Sequence, residues 1–252
     1  MAEHEEGSLS LLRLQSVTKS YGRGPRELQV LRDASLEVDA GSLVSIYGPR
    51  NSGKTALLEI AAGFQPPTAG RVIFDGAALA DLSARELARV HREQIGWIER
   101  AGPHAPELTV GRYVALPLYR ELGARRSHRR ALEVLATYGV EDHAGERWHD
   151  LSDAARILCA IAQAMVRRPR VLVADDPTAG LGITDRERVC AVLRSVAEDD
   201  GLGVLMAVPD MPAMLRSHEV RLLSRGRLLA PAERPQGADA TVLAFPGGRR
   251  SA

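Results

Sequence analysis

The sequence predicts one α/β domain in which a mostly parallel sheet is joined to a small antiparallel sheet and to an inserted helical subdomain. Three short, nearly continuous apolar runs, at residues 43–47, 171–175 and 203–208, are typical of parallel strands that are covered on both faces. Helical patterns separate these runs, so strands and helices alternate along the chain. A chain of 252 residues is long enough to bury a sizeable core in such a domain.

The other elements follow from alternation, turn residues and helical periodicity. Residues 11–19 and 31–38 alternate apolar and polar side chains and predict two antiparallel strands joined by a turn at 21–25 that is rich in glycine and proline. Glycines at both ends of residues 71–74 favour a further strand. The remaining predictions are a helix at 53–62, mainly helices over 83–168 with a strand at 95–98, and a helix at 184–198.

The two ends of the chain differ in composition from its middle. Residues 1–8 are acidic and carry no apolar segment, and residues 231–252 are rich in Pro, Ala, Gly and Arg. Such compositions predict a disordered N-terminus and a flexible C-terminal tail. The folded domain is therefore predicted to span 9–230, with its helical subdomain at about 83–168.

Overall composition excludes several classes of protein. A net charge of +1 gives no electrostatic reason to expect binding to nucleic acid. Because no apolar run approaches the roughly 18 residues that a membrane-spanning helix needs, any membrane association is expected to come through a partner protein. Cys159 and Cys190 lie in apolar, helical stretches and are predicted to be reduced core residues. The chain is thus expected to be cytoplasmic.

A phosphate-binding loop is the strongest functional motif. Residues 48–55, GPRNSGKT, fit the pattern G-x-x-x-x-G-K-[ST], and they follow a predicted strand and open a predicted helix. Backbone N–H groups of such a loop, including those of Gly48, Asn51, Ser52 and Gly53, face a bound polyphosphate at a helix N-terminus.

Two residues at the end of this loop have distinct expected roles. Lys54 is expected to reach the β- and γ-phosphates of ATP, and the Thr55 hydroxyl to bind Mg²⁺. Only Lys19 and Lys54 are lysines among the 33 basic residues, so a lysine at this position is improbable by chance. Asp175, at the end of a buried apolar run, is expected to orient the same Mg²⁺ through water; it could instead cap the following turn.

With both nucleotide motifs in place, residues 11–229 resemble the ATP-binding-cassette (ABC) ATPases, and within them the lipoprotein-release, macrolide-export and cell-division branch. The similar segments are VTKSYG, VLRDASLEVDAGSLVSIYGPRNSGKT, GRVIFDG, IGWIER, ELTVGRYVALPL, LSDAARILCAIAQAMVRRPRVLVADDPTAGL and GVLMAVPD. The resemblance implies a P-loop NTPase (RecA-like) core and two subunits, in a homodimer or a heterodimer, that enclose two ATP molecules and drive a membrane permease. The permease is expected to contact the region from Arg100 to Val110.

The resemblance also assigns roles to individual residues. Tyr21 falls where these proteins stack an aromatic ring on adenine; alone it would be interpreted as a turn aromatic. Ser152 falls at the serine that contacts the γ-phosphate of ATP held by the opposite subunit; alone it would be interpreted as a helix N-cap.

This chain departs from the family pattern at positions that serve hydrolysis. The family signature LSGGQ here has Asp153, Ala154 and Ala155 after its serine. A carboxylate about 4 Å from a phosphate charge is repelled by roughly 4 kcal/mol at an effective dielectric constant near 20. Half of that repulsion would weaken closure more than about tenfold, since ~1.4 kcal/mol is a factor of ten. Protonation or rotation of the side chain would relieve part of it.

The catalytic glutamate of the family is replaced by Asp176, whose carboxylate is withdrawn by on the order of 1 Å, a misplacement that can cost ~10²-fold in rate. Asp176 stays a candidate for a weak base. Three further positions differ: the switch histidine falls at Pro209, the Mg²⁺-sensing glutamine at Arg100, and the aspartate of the loop between subunits at Gly182.

Three functions are compatible with these residues. The first is an ABC subunit that binds Mg-ATP and couples to a permease with weak or lost hydrolysis. The second is a slow but active transport ATPase that uses Asp176. The third is a non-catalytic scaffold or regulator of a permease complex that no longer needs nucleotide.

Overall fold

The computed structural model describes residues 10–98, 107–208 and 216–229. The predicted disordered N-terminus at 1–8 and the predicted tail at 231–252 lie outside these ranges. The strands are β1 (Leu12–Tyr21), β2 (Leu28–Val38), β3 (Leu43–Tyr47), β4 (Ala69–Phe74), β5 (Ala77–Ala78), β6 (Ile95–Ile98), β7 (Val171–Asp175), β8 (Gly203–Val208), β9 (Glu219–Ser224) and β10 (Arg227–Leu229). The α-helices are α1 (Lys54–Ala61), α2 (Ala84–Glu93), α3 (Val110–Ala115), α4 (Tyr119–Thr137), α5 (Asp153–Met165) and α6 (Ile183–Glu198).

The strands form two sheets. An antiparallel sheet has the order β2-β1-β4-β5, and a six-stranded sheet has the order β10-β9-β3-β8-β7-β6. In the larger sheet β9, β3, β8, β7 and β6 are parallel, and β10 pairs antiparallel with β9 at its edge. The predicted α/β class is confirmed, and the strands predicted at 43–47, 95–98, 171–175 and 203–208 have these bounds in the structure.

The hairpin of β9 and β10 is missing from the sequence prediction. Most side chains of β9 are only partly buried, so its apolar signal is weak. The turn between the strands has φ of 48° at Arg225 and 79° at Gly226. Two-residue hairpin turns of type I′ have positive φ at both positions, which arginine seldom adopts, so the usual Asn-Gly or Asp-Gly signal is absent.

The six-stranded sheet separates two hydrophobic cores, because successive side chains of a strand point to opposite faces. On β7, Val171 and Val173 join the core that contains α1 and the antiparallel sheet. Leu172 and Ala174 join the core that contains α3, α4, α5 and α6. The helix that follows the phosphate-binding loop and the helix that follows Ser152 therefore lie on opposite faces of the sheet.

Helix boundaries are set by local signals. Helix α2 begins with a capping box in which Ser83 Oγ accepts from the Glu86 N–H at 3.3 Å while the Glu86 carboxylate accepts from the Ser83 N–H at 2.9 Å. Helix α4 is kinked at Gly123, where φ is 71° and ψ is 167°. Helices α3 and α4 pack on each other and on α5. They lie within the range predicted for the helical subdomain, whose bounds stay a prediction.

Cys159 lies on α5 and Cys190 lies on α6. Both thiols are buried, and burial raises the pKa of Cys159 to about 12, which keeps it protonated and unreactive. Within the described ranges, each helix is too short or too polar to cross a lipid bilayer.

Gly70 and Gly76 offer a matched test of the antiparallel sheet. Both have positive φ, 83° and 79°, but a Cβ on Gly70 would lie 2.5 Å from the Gln15 carbonyl oxygen on β1, whereas a Cβ on Gly76 would meet nothing within 4 Å. We expect Gly76→Ala to lower the free energy of unfolding by about 1 kcal/mol, the cost of a left-handed backbone alone. Gly70→Ala should cost about 3 kcal/mol or more, because the clash with the neighbouring strand is added. Urea denaturation measures both; equal losses would contradict the close packing of β1 on β4.

Candidate phosphate-binding site

The loop at residues 48–55 joins β3 to α1 and has the backbone that the motif requires. Asn51 has φ of 61° and Gly53 has φ of 101°, so both adopt the left-handed region. Asn is the side chain that best tolerates this conformation after glycine, which explains how the loop keeps its shape with Asn51. A Cβ on Gly48 would lie 2.5 Å from the Leu223 carbonyl oxygen, and one on Gly53 would lie 2.9 Å from Val30. Strands β9 and β2 thus confine the loop.

Lys54 is held inside the loop. Its side chain is 8% exposed, and Nζ donates to the carbonyl oxygens of Gly48 at 2.8 Å and Pro49 at 3.1 Å. Both acceptors are neutral, so the loop places a buried cation without placing a carboxylate against it. Ser52 Oγ is also buried and has no hydrogen-bond partner among the described residues. A buried cation and an unsatisfied hydroxyl in one loop fit the phosphate groups of a nucleotide.

Thr55 and Asp175 come together from distant parts of the sequence. Thr55 Oγ1 donates to Asp175 Oδ2 at 2.7 Å, so the first turn of α1 contacts the end of β7. Hydroxyl and carboxylate oxygens suit Mg²⁺. Among the described residues, no group of three or more His, Cys, Asp or Glu side chains could hold a metal ion. A Mg²⁺ ion here would therefore need phosphate oxygens and water to complete its shell.

A cavity of about 570 Å³ adjoins the loop. Its walls come from the loop, β2 and the turn between β9 and β10, and they include Arg32, Arg50 and Arg225. The described residues that line this cavity include no carboxylate, so their charged side chains are all cations. A second cavity, of about 540 Å³, is lined by residues such as Pro169 and Leu202, which precede β7 and β8. It lies near the N-terminal ends of these two strands, and its described lining includes no predicted site residue.

Tyr21 is the last residue of β1 and is 42% exposed. Its hydroxyl donates to Gln65 Oε1 at 2.9 Å, and Gln65 Nε2 donates to Glu59 on α1 at 2.6 Å. Lys19 Nζ lies 5.2 Å from the centre of the Tyr21 ring. The structure thus links this ring to α1 and leaves it accessible, as a base-stacking position requires.

Ser152 caps α5. Its Oγ accepts from the Ala155 N–H at 3.2 Å, so the interpretation as an N-cap is confirmed. Asp153 is the first residue of the helix, and its carboxylate accepts from Arg156 Nη1 at 2.9 Å. The repulsion expected at Asp153 from the sequence did not take this cation into account. Because α1 and α5 lie on opposite faces of the sheet, Ser152 and Lys54 do not belong to one local site.

Asp176 directly follows the Mg²⁺ candidate Asp175 but has a different backbone. Its φ is 46°, its N–H donates to the Ala207 carbonyl oxygen at 3.2 Å, and its carbonyl oxygen accepts from the Ala179 N–H at 3.1 Å. The residue therefore sits in a tight turn at the end of β7, next to the end of β8. Aspartate tolerates this left-handed conformation better than glutamate does.

Two of the other departures lie outside the described residues, namely Arg100 and Pro209. Gly182 is described and is the N-cap of α6, with Ile183 beside it 78% exposed. The sequence prediction omitted Arg156 and the three arginines around the cavity. The spacing of Asp153 and Arg156, three residues apart on one helix, is the signal that could have identified their pair.

Comparisons with known proteins place this arrangement in a family. The family model described as "ABC transporter" matches residues 31–179. The lipoprotein-releasing system ATP-binding protein LolD 1 of Rhodospirillum rubrum is 31% identical over 220 residues, which cover 87% of this chain and 97% of that protein. The macrolide export ATP-binding/permease protein MacB 1/2 of Paracoccus denitrificans is 33% identical over 236 residues, which cover 93% of this chain and 35% of that protein. The solved dimeric structure of the ABC transporter cassette MJ0796 has a TM-score of 0.77 and 30% identity, covering 86% of this chain and 96% of that chain.

The left-handed conformation of Asn51 generates a prediction about the loop. Asn51→Gly should leave the free energy of unfolding within about 0.5 kcal/mol and the affinity for Mg-ATP within about threefold, because glycine adopts the same backbone without strain. Asn51→Val should cost about 1–2 kcal/mol and weaken Mg-ATP binding at least about tenfold, because a β-branched residue resists positive φ. Urea denaturation and titration calorimetry measure the two effects. Wild-type affinity in the valine variant would show that the loop does not need this backbone.

Proposed function

We infer the function of this chain from its family and its site: it belongs to the ABC transporter family, as an ATP-binding subunit of the LolD and MacB type. We propose that it binds Mg-ATP through the loop at 48–55, couples to a membrane permease, and hydrolyses ATP slowly or not at all. It would then act at the cytoplasmic face of a membrane, held there by the permease.

The contact between Thr55 and Asp175 carries the binding half of this proposal. The two side chains are 120 positions apart and meet at 2.7 Å, in the place where the Lys54 loop ends. The Lys54 ammonium and the backbone N–H groups of the loop would bind the phosphates, Thr55 and Asp175 would hold the Mg²⁺, and Tyr21 would stack on the adenine. When bound, ATP supplies the phosphoanhydride bond whose hydrolysis drives transport.

The slow hydrolysis rests on Asp176. A base that activates water must reach it at hydrogen-bond distance, and the aspartate arm is one methylene shorter than that of glutamate. The backbone of Asp176 is fixed by its two hydrogen bonds, to Ala207 and Ala179, so the main chain cannot easily move the carboxylate forward. Arg100, Gly182 and Pro209 would add to the defect.

The separation of α1 and α5 by the sheet supports a two-subunit arrangement. Ser152 would serve the ATP held by a second ABC subunit, and that subunit's signature would serve the ATP on Lys54. The cassette MJ0796 was solved as a dimer, and the name of MacB includes a permease. We propose a homodimer or a heterodimer with another ABC subunit, contacting the permease near residues 100–110, most of which lie outside the described ranges.

The thermal stability of the protein with and without Mg-ATP tests the proposal that the chain binds this nucleotide. At 1 mM ATP and a micromolar dissociation constant, bound nucleotide stabilises the fold by about 4 kcal/mol, which raises Tm by about 8 °C or more. Lys54→Ala should remove most of this shift, whereas Arg129→Ala, which changes an exposed cation on α4, should retain it. A wild-type protein with no shift would favour the non-catalytic scaffold that needs no nucleotide.

Lengthening the side chain of residue 176 tests the proposal that hydrolysis is slow. Asp176→Glu should raise kcat about 10- to 100-fold by returning the carboxylate to the water, while the affinity for Mg-ATP changes less than about threefold. Because φ at this position is 46°, the same change should cost about 1 kcal/mol of stability. Phosphate release under saturating ATP measures kcat, and Lys54→Ala in the glutamate variant is the control that should abolish it.

The opposite substitution separates the two enzymatic alternatives. Asp176→Asn should lower any residual turnover further if Asp176 is a slow base, and it should change nothing if turnover is already absent. Wild-type turnover equal to that of a standard ABC subunit, and abolished by Lys54→Ala, would contradict the proposal of weak hydrolysis.

A further inference from the structure

We propose that Arg156 is a positioning residue: it neutralises Asp153 and holds the Ser152 segment in a shape that accepts the ATP of a second subunit. The inference rests on the proposed function, since it assigns a task to this segment in a closed pair of subunits. It revises the expectation that the negative charge of Asp153 weakens closure.

The guanidinium group of Arg156 uses three of its nitrogens on the segment around Ser152. Nη1 donates to Asp153 Oδ1 at 2.9 Å. Nε donates to the Trp148 carbonyl oxygen at 3.1 Å, and Nη2 donates to the His149 carbonyl oxygen at 3.0 Å. One side chain therefore ties the turn that precedes Ser152 to the helix residue that follows it.

This set of contacts fixes Ser152 from both sides. The Ser152 Oγ accepts from the Ala155 N–H, and the Ser152 carbonyl oxygen accepts from the Arg156 N–H at 2.9 Å. The rigid, planar fork of an arginine can satisfy three acceptors at once, whereas a lysine is a point charge on a flexible stem. The side-chain contacts of Arg156 thus help to hold the segment around Ser152 in the fixed shape that it needs to contact a ligand.

The charge of the segment follows from the same geometry. Asp153 is 69% exposed and Arg156 is 32% exposed, so the carboxylate lies at the surface with the cation beneath it. The other nearby acid, Asp150, lies 3.2 Å from His149 Nε2. The cation of Arg156 offsets the negative charge that Asp153 adds to this segment. The two charged groups are closer to each other than the Debye length of about 8 Å, so an approaching phosphate meets both of them together.

A simple surface ion pair is a weaker account of these observations. An exposed pair of residues three apart contributes little by itself and leaves the cation mobile. Here the hydrogen bonds to two backbone carbonyl oxygens hold the guanidinium group in place, in addition to its contact with the carboxylate. Removing the cation should consequently affect ATP-dependent association far more than it affects the folding of α5.

A double-mutant cycle on the dimer tests the inference. The full chain is sedimented in saturating Mg-ATP, and the dissociation constant of its dimer is measured for the wild type, Asp153→Asn, Arg156→Gln and the double variant. We expect an ATP-dependent wild-type dimer, a change of less than threefold for Asp153→Asn, and a dimer at least tenfold weaker for Arg156→Gln. Adding Asp153→Asn to Arg156→Gln should recover at least threefold of that loss.

Three controls separate charge, shape and folding. Arg156→Lys keeps the cation without the fork and should fall between the wild type and Arg156→Gln. Asp150→Asn changes the other acid of the segment and should alter the dimer less than twofold. Helical circular dichroism and Tm without nucleotide should stay at the wild-type level in Arg156→Lys, which shows that its weaker dimer does not result from unfolding.

Several results would overturn the inference. If Asp153→Asn strengthens the dimer equally with and without Arg156, then Arg156 offsets none of the charge of Asp153. A wild-type chain that binds Mg-ATP with the expected thermal shift but stays monomeric would overturn the inference and leave the ATP-binding proposal standing. A chain that does not bind Mg-ATP at all would overturn both.

Discussion

The burial of one ammonium group constrains most of this structure. Lys54 Nζ is surrounded by neutral carbonyl oxygens of its own loop, so the loop has to curl back on itself, and this geometry requires unusual backbone conformations at Asn51 and Gly53. The curl is possible only where a buried strand ends and a helix begins. It also needs the close approach of β9 at Gly48 and of β2 at Gly53. The hairpin at the sheet edge therefore helps to shape this loop, although it contributes no predicted ligand.

The six-stranded sheet that supports this loop also divides the functional residues between two faces. Strand β7 delivers Asp175 to Thr55 at its end while its alternate side chains pack against α5 on the other face. Helix α1, which begins at Lys54, packs in one core, and helix α5, which Ser152 caps, packs in the other. This packing agrees with the proposed two-subunit arrangement, in which Ser152 serves the ATP of a second subunit.

Sequence reasoning was most accurate where burial is two-sided. Strands β3, β7 and β8 are covered on both faces, so their apolar runs are continuous and begin and end where the sheet does. Reasoning from the sequence did less well at β9 and at Arg225, where half-exposed side chains and an uncommon turn residue weaken the signal. At Asp153 the sequence indicates the negative charge but not the contact with Arg156 that offsets it. The contacts of Arg156 with two carbonyl groups depend on the short turn at Trp148–Asp150, which no sequence pattern specifies.

The conformation of Asp176 gives a physical reason for the proposed combination of ATP binding with slow hydrolysis. The turn after Asp175 has positive φ at Asp176, which aspartate adopts at less cost than glutamate, so the shorter acid favours stability. In the proposed mechanism the same shorter arm leaves the carboxylate farther from the attacking water. Trading activity for stability at a strained site is a common outcome in proteins. If Arg156 also leaves the Ser152 segment able to close on a nucleotide, ATP would hold two subunits together for longer than an efficient ATPase allows. A permease coupled to such a pair would respond mainly to nucleotide binding, and hydrolysis would set only the rate of release.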